Sequence, residues 1–293
     1  MTGLVLIDKP SGYTSHDVVN RWRRLADTRR VGHLGTLDPM ATGVLALLSG
    51  PATRLAQFFS KDEKIYLADI TLGRTSNSYD ADGTVLDTGI LPPRDSAAVL
   101  SALDHFRGRF LQRPPPVSAK KVGGVRAYKL ARKQVSVELP PVEVEVTRLE
   151  VKSIVLPSIQ ILVDCSPGTY VRSIAHDLGQ LLGCGAILSG LRRLRSGEFT
   201  IDQAHVLDSL DRLAMEGRLA EAVIPTGKLL EHIPAEYFDS EAEAQIRQGR
   251  DFRTSPFVVP TGAKRVRALS QSGSLIAIGE LKMPNLYHPG TVL

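Results

Sequence analysis

Apolar and polar positions along this chain follow two rhythms, and the switches between them mark its elements. Met1 to Asp8 carries the apolar run Leu4 to Ile7 and reads as a first strand. Thr14 and Ser15 cap a predicted helix whose apolar positions, Val18, Val19, Trp22, Leu25 and Ala26, share one face. Val44 to Leu48 is expected as a short buried strand and Ala52 to Phe59 as a short helix. Lys64 to Leu72 is a strand rich in Ile, Tyr and Leu, and Asp80-Ala81-Asp82-Gly83 is a turn. Helical spacing returns at Val99, Leu100, Leu103 and Phe106. Val142, Val144 and Val146 alternate with Glu143, Glu145 and Thr147 as a half-buried strand does, and Ile159, Ile161 and Val163 repeat the pattern. Thr169 opens a helix that turns Val171, Ile174, Ala175, Leu178, Leu181 and Leu182 inward and ends at Gly183. Asp202 to Leu213 is predicted as a further amphipathic helix.

From about Pro234 the texture changes to short strand-like runs, Phe257 to Val259, Arg265 to Leu269 and Leu275 to Leu281, broken by Gly, Pro and Ser. That pattern reads as a small all-β domain, with boundaries expected at 1–231 and 232–293. In the first domain, strands and helices alternate irregularly rather than in βαβ units. The fold class expected is therefore α+β, with a mainly antiparallel central sheet and peripheral helices. The 293 residues are 43% hydrophobic and 23% charged, ordinary values for a chain with a proper core. No apolar run approaches the roughly 18 residues of a membrane span, and the N-terminus lacks the marks of a signal peptide. Cys165 and Cys184 have no metal-type spacing and read as buried, reduced thiols. These features lead to the expectation of a cytoplasmic protein without a membrane partner or a metal.

Charge changes the picture through its distribution. Between Arg107 and Lys133 lie nine cations and no acid; subtracting them from the net +5 leaves the remainder at −4. This stretch contains Arg113, Lys120, Lys121 and Arg126, and its Pro114-Pro115-Pro116 makes it an extended arm or loop. Further clusters lie at Arg21, Arg23, Arg24, Arg29 and Arg30, and at Arg192, Arg193 and Arg195. One cluster alone would be a solvated face; three favour a phosphate-backbone partner.

No Walker-type loop, GxGxxG, HExxH or GxSxG is present, so no cofactor is expected and the chemistry falls to carboxylates, Arg, Tyr and His. Val31 to Gly43 is a shaped loop with three glycines and a proline, presenting His33 and Asp38. Taken singly, Asp38 before Pro39 is a turn-maker, His33 a hydrogen-bonded loop residue and Tyr66 a half-buried core aromatic. Arg172 stands out, because a cation in the first turn of a helix opposes the helix dipole. A carboxylate partner is the simplest reason for it.

Five segments, in order, carry a resemblance. They are Asp8-Lys9-Pro10-Ser11-Gly12-Tyr13-Thr14-Ser15; Arg30 to Gly43 with its Gly32-His33-Leu34-Gly35-Thr36-Leu37-Asp38-Pro39 core; Lys64-Ile65-Tyr66 with Leu72-Gly73 and Asp80 to Gly83; Pro115 to Lys121 with Arg126-Ala127-Tyr128; and Gly168 to Ser173 continued by Leu191-Arg192-Arg193-Leu194. Together they resemble the TruB family of tRNA pseudouridine synthases over about residues 4 to 200. The tail resembles a PUA domain, a small β-barrel-like RNA-binding unit, through Gly249-Arg250 and Tyr287-His288-Pro289-Gly290. Leu34, Val117, Ser76 and Ser78 depart from the family pattern, at positions peripheral to the reaction.

The resemblance implies the pseudouridine synthase fold and isomerisation of uridine to pseudouridine in the TΨC arm of tRNA, at the position conventionally numbered 55, without cofactor. Asp38 would be the essential carboxylate, acting as nucleophile or as base, and Arg172 would favour its charged form. Tyr66 would stack on a flipped uracil, His33 would fill the space the base leaves, and Tyr170 and Leu191 would wall the pocket. Lys9, Arg113, Lys120, Lys121 and Arg126 would contact RNA. The expected partner is the tRNA stem-loop, with no obligate protein partner, and the expected state is a monomer. Three rivals stand beside this reading: a glycosidase using Asp80 or Asp82 as second acid, an RNA-binding module without catalysis, and a guide-RNA-dependent synthase.

Overall fold

The computed structural model describes residues 1–117 and 139–293, and between them the backbone of 121–122 and 125–126. Its strands are β1 (Gly3–Lys9), β2 (Val31–His33), β3 (Thr42–Ser49), β4 (Lys64–Leu72), β5 (Arg74–Ser76), β6 (Val85–Asp87), β7 (Gly108–Gln112), β8 (Lys121–Val122), β9 (Val125–Arg126), β10 (Val142–Val155), β11 (Ser158–Cys165), β12 (Ala186–Ser196) and β13 (Phe199–Thr200), followed by β14 (Ala235–Phe238), β15 (Phe252–Arg253), β16 (Arg265–Ser270), β17 (Leu275–Met283) and β18 (Leu286–Val292). The α-helices are α1 (Ser15–Leu25), α2 (Ser96–Asp104), α3 (Val171–Leu181), α4 (Leu207–Met215) and α5 (Ser240–Arg247).

The main sheet runs β1-β3-β12-β4-β11-β10-β7, with β2 on β3 and β13 on β12. Every pairing in it is antiparallel except β3 with β12. The α+β, mainly antiparallel expectation therefore holds. A second sheet, β14-β16-β17-β18-β15, forms from the tail.

The apolar runs of β1 and β3 lack alternation because both faces are covered. Val5, Ile7, Leu45 and Leu47 pack under α1 against Val18, Val19 and Trp22. Leu4, Leu6, Val44, Ala46 and Leu48 face the other way, into a cluster shared with Leu269, Leu275 and Ile278 of the second sheet. Further along the same face of the main sheet, Ala68, Ile70 and Leu72 of β4 pack with Val99 and Leu103 of α2 and Ile174 and Leu178 of α3. Helix α1 starts where the sequence marks it: Thr14 and Asp17 form a reciprocal capping box, worth about 1 kcal/mol.

Two expectations fail. The helix foreseen over Asp202 to Leu213 begins only at Leu207, because His205 is paired with β1: its N–H donates to Leu6 C=O at 2.9 Å and its C=O accepts from Asp8 N–H at 2.9 Å. Phe257 to Val259 is a turn between Pro256 and Pro260, in which the N–H groups of Val258 and Val259 both donate to Ser255 C=O. Ala52 to Phe59 lies in a 3₁₀ segment, Gly50–Phe59. No helix among the described residues is long and apolar enough to cross a membrane.

Candidate active site

The segment 34–41 leaves the sheet because β3 changes neighbours. His33 at the end of β2 pairs with Leu47, while further down the same strand Thr42 and Gly43 pair in parallel with Arg192 and Arg193 of β12. The chain must arch over that junction. Gly35 supplies a left-handed turn at φ 102°, and Ala41 N–H donates to Asp38 C=O at 3.1 Å. Gly43, also at φ 102°, lies so close to β12 that a Cβ would sit 2.2 Å from the Arg193 carbonyl oxygen.

Three elements clamp this arch. From the N-terminal segment, Lys9 Nζ donates to the carbonyls of Pro10, Tyr13 and Pro39 at 2.9, 2.6 and 3.1 Å. Gly12 N–H donates to Pro39 C=O at 2.9 Å and Ser11 Oγ to Met40 C=O at 3.2 Å. Ser15 Oγ donates to Leu37 C=O and accepts from Leu37 N–H, at 3.1 and 2.9 Å. From β12, the buried Arg193 donates to Gly35 C=O at 3.1 Å and Val44 C=O at 2.7 Å. From the turn after β5, Asp82 Oδ2 accepts from Met40 N–H at 2.9 Å. Asp38 is thus presented by a backbone already fixed on both sides, as a reacting group needs.

Facing it is Arg172, in the first turn of α3 and 5% exposed. The buried Gln112 at the end of β7 sets the start of that helix, accepting from Tyr170 N–H at 2.8 Å and donating to Tyr170 C=O at 3.0 Å. Arg172 Nη2 donates to Asp38 Oδ1 at 3.1 Å, and Nε lies 3.0 Å from Oδ2. Nη1 donates to Ser78 C=O at 3.1 Å and to Asp80 Oδ2 at 3.2 Å; Nη2 also reaches Val117 C=O at 3.0 Å. Two carboxylates and two carbonyls explain why a cation stands where the dipole disfavours it. The buried Asp80 is held in turn by Ser78 Oγ at 2.5 Å and Asp82 N–H at 3.1 Å.

Burial pushes the Asp38 carboxyl above the ordinary carboxylate range, Arg172 pulls it down, and Asp80 and Asp82 push it up again. The sequence reading gave Arg172 the upper hand. In the folded protein burial is the larger influence, and part of Arg172's charge answers Asp80 instead. The Asp38 side chain still keeps 31% of its surface exposed.

Tyr66 on β4 lies opposite Arg193 of β12, and Leu191 is its diagonal neighbour on the same sheet face. Both side chains rest between the apolar clusters under α1 and α3. Burial raises the Tyr66 hydroxyl, which stays protonated at neutral pH. His33 is half-buried at the start of the arch, and Tyr170 is half-buried as the N-cap of α3. The structure therefore joins Asp38 to Arg172 directly and sets Tyr66 beside Leu191.

Other expectations change. Lys9 is 0% exposed and its ammonium is spent on three carbonyls, so it is a clamp rather than an RNA contact. Burial lowers its pKa to about 8. Of the cluster at 192–195, Arg193 is buried, Arg192 pairs with Asp8 at 2.7 Å and Arg195 with Asp164 at 3.5 Å. Arg192 and Arg195 are thus ion-paired, with 39% and 38% of their side-chain surface exposed. Arg113 is exposed at the foot of the basic segment, and its C=O accepts from Ser173 Oγ. Lys120 lies outside the described residues, as do the side chains of Lys121 and Arg126. Val117, a departure by side chain, contributes its carbonyl. The sequence reading set Ser78 aside as peripheral and passed over Gln112 and the role of Asp80; a cation at a helix start, needing acids, was the one signal for Asp80. Among the described residues no group of His, Cys, Asp and Glu is arranged to hold a metal. Concavities of about 280 and 290 Å³ occur elsewhere, and Asp38, Tyr66 and Arg172 line neither.

Comparison with known proteins gives the family. Residues 23–171 match the TruB family pseudouridylate synthase N-terminal domain, and residues 172–231 the tRNA pseudouridylate synthase B C-terminal domain. The tRNA pseudouridine synthase B of Solibacter usitatus is 53% identical over 293 residues, covering all of both chains. That of Opitutus terrae is 46% identical over 215 residues, 73% of this chain and 89% of the relative. A solved H/ACA RNP bound to a substrate RNA containing 2'-deoxyuridine aligns with a TM-score of 0.69 at 25% identity, over 99% of this chain and 84% of that one. With matches spanning residues 23–231 and a full-length relative above half identity, the chain belongs to the TruB family of pseudouridylate synthases.

Proposed function

We propose that this chain isomerises uridine to pseudouridine in the TΨC arm of tRNA, at the uridine conventionally numbered 55. The observation that carries the reading is the Asp38 carboxylate held on two sides by Arg172, itself braced by Asp80. The relatives named tRNA pseudouridine synthase B support tRNA as substrate, and the structural neighbour holds a substrate RNA. The reaction is balanced without a redox partner: the N1–C1′ bond breaks, the C5–C1′ bond forms, the C5 proton leaves and N1 takes one up.

Asp38, ionised, acts on the sugar as nucleophile or as base. Arg172 favours that ionised form, hydrogen-bonding Oδ1 through Nη2 with Nε 3.0 Å from Oδ2. A uridine inside a folded stem-loop must be flipped out to reach it. Tyr66 then stacks on the uracil, worth about 1–3 kcal/mol. Leu191 and Tyr170 wall the pocket, and His33 fills the gap in the RNA. Residues 1–231 form the catalytic domain, 232–293 a PUA-like RNA-binding domain, and the basic segment 107–133 grips phosphates. A glycosidase is disfavoured, because Asp80 is buried on Arg172 and Asp82 Oδ2 holds the Met40 N–H.

The test is incubation with an unmodified tRNA transcript followed by mapping of pseudouridine. Wild type is expected to form it at one T-arm uridine. Asp38→Asn is expected to bind the transcript and form none; turnover by that variant would remove Asp38 from its role.

A further inference from the structure

Arg172 can orient the acid only as well as it is itself oriented, and its Nη1 is held by two oxygens of one short turn. Ser78 C=O lies on one side of that turn and Asp80 Oδ2 on the other. Between them stands Tyr79 at φ 68°. Glycine or asparagine fits a left-handed position; a bulky aromatic there is an outlier that needs a reason. The backbone holds the turn: Tyr79 N–H donates to Ser76 C=O, and Tyr79 C=O accepts from Leu188 N–H at 3.0 Å. These bonds would serve equally with glycine, so they do not account for the ring.

The ring lies flat on His176, with centroids 3.7 Å apart and planes 7° from parallel. His176 follows Arg172 by four residues on α3, which places the two side chains on the same helix face, one turn apart. One helix thus carries both the guanidinium and the ring that grips the turn receiving it. Burial lowers His176 below the usual histidine range, so the stack adds no second cation beside Arg172 at neutral pH.

We propose that the Tyr79–His176 stack is a positioning pair for Arg172, locking the Ser78–Asp80 turn to α3 so that the guanidinium meets Asp38 in one fixed geometry. The inference rests on the reading of Asp38 and Arg172 as the catalytic pair. Both residues act through Arg172.

The test is pseudouridine formation on tRNA transcript by the full-length protein, with kcat and KM resolved and thermal midpoints measured alongside. Tyr79→Ala and His176→Ala are each expected to lower kcat about tenfold to a hundredfold, the scale of a small misplacement in a preorganised site, with KM almost unchanged. Tyr79→Phe and His176→Phe keep a stacked pair and are expected to restore kcat. Tyr79→Gly is the decisive variant. It removes the ring and the left-handed strain together, so it is expected to melt no lower than wild type and yet turn over as slowly as Tyr79→Ala. Wild-type kcat in Tyr79→Gly, or a loss confined to KM, overturns the inference. Arg172→Ala is run in parallel: if it is inactive while the stack variants keep full rate, the inference alone fails. If Arg172→Ala is itself fully active, the catalytic reading fails and the inference with it.

Discussion

Replacing Lys9 by methionine tests whether the arch carrying Asp38 is clamped from below by a buried charge. The side chain keeps nearly its length and loses its ammonium. Two effects of similar size then oppose one another. Burial lowers the Lys9 pKa from 10.5 to about 8, which makes the buried ammonium a standing cost of about 3 kcal/mol near neutral pH. Against that, three carbonyls lose their donor, at about 1 kcal/mol each. Stability at pH 7 therefore does not discriminate; its dependence on pH does. The folded-state pKa is depressed, so between about pH 8 and 10.5 the unfolded chain binds the extra proton, and wild-type stability rises with pH through that window and falls again as pH returns through 8. By about pH 10 the gain is about 2.5 kcal/mol, and Lys9→Met lacks it. Other groups titrating there are common to both proteins and cancel in the difference. Urea unfolding of both proteins at several pH values reads this gap directly. Parallel stability curves would show that burial does not depress the Lys9 pKa, and this energetic account of the clamp would fall. In the same protein, the salt dependence of tRNA binding is expected to stay unchanged, whereas loss of a phosphate contact would flatten its slope by about one unit.

Arg172→Ala is expected to lower turnover far more than tRNA affinity, and a loss in affinity alone would make it a phosphate contact. Because the Asp38 carboxyl is raised and, on the proposed chemistry, acts ionised, wild-type activity is expected to fall with decreasing pH at a higher pH than an ordinary carboxylate dictates; without Arg172 that limb of a kcat–pH profile is expected to move higher still. Gly43→Ala is expected to lose both stability and turnover, since its Cβ would meet the Arg193 backbone at a positive φ and force β3 from β12; an unchanged thermal midpoint would refute the close approach.

What the sequence made legible is what local rules govern. Strand Lys64–Leu72 and the Thr14 cap of α1 follow from alternation and capping chemistry, and both form as read. The helix placed at Asp202 fails because His205 within it pairs with β1, a partner about two hundred positions away that no local window contains. Lys9 and Arg193 fail for the same reason. A cation reads as solvent-facing until distant carbonyls, Pro39 for one and Gly35 and Val44 for the other, turn out to surround it. Asp38 and Arg172 are legible through their motifs. The balance of burial against charge at Asp38 is not, because it depends on a second acid, Asp80, that the sequence presents as a turn residue.

That second acid works against the site in one respect, since its charge helps to raise Asp38 and draws on the cation that most lowers it. The geometry gives a reason to keep it. If Arg172 answered Asp38 alone, the pair would be free to shift as a unit when substrate engages the carboxylate, and the guanidinium would follow the acid. With Nη1 fixed on Ser78 and Asp80, the cation stays where it is while one Asp38 oxygen turns to the sugar. The developing charge then meets a dipole that is already oriented, and no reorganisation is left for the reacting step. On the proposed chemistry, Asp80 weakens the ground-state pull on Asp38 and secures the position of Arg172 in the transition state. Where Asp38 is fully ionised, only the second effect bears on turnover, because an interaction that strengthens ground state and transition state alike does not raise kcat.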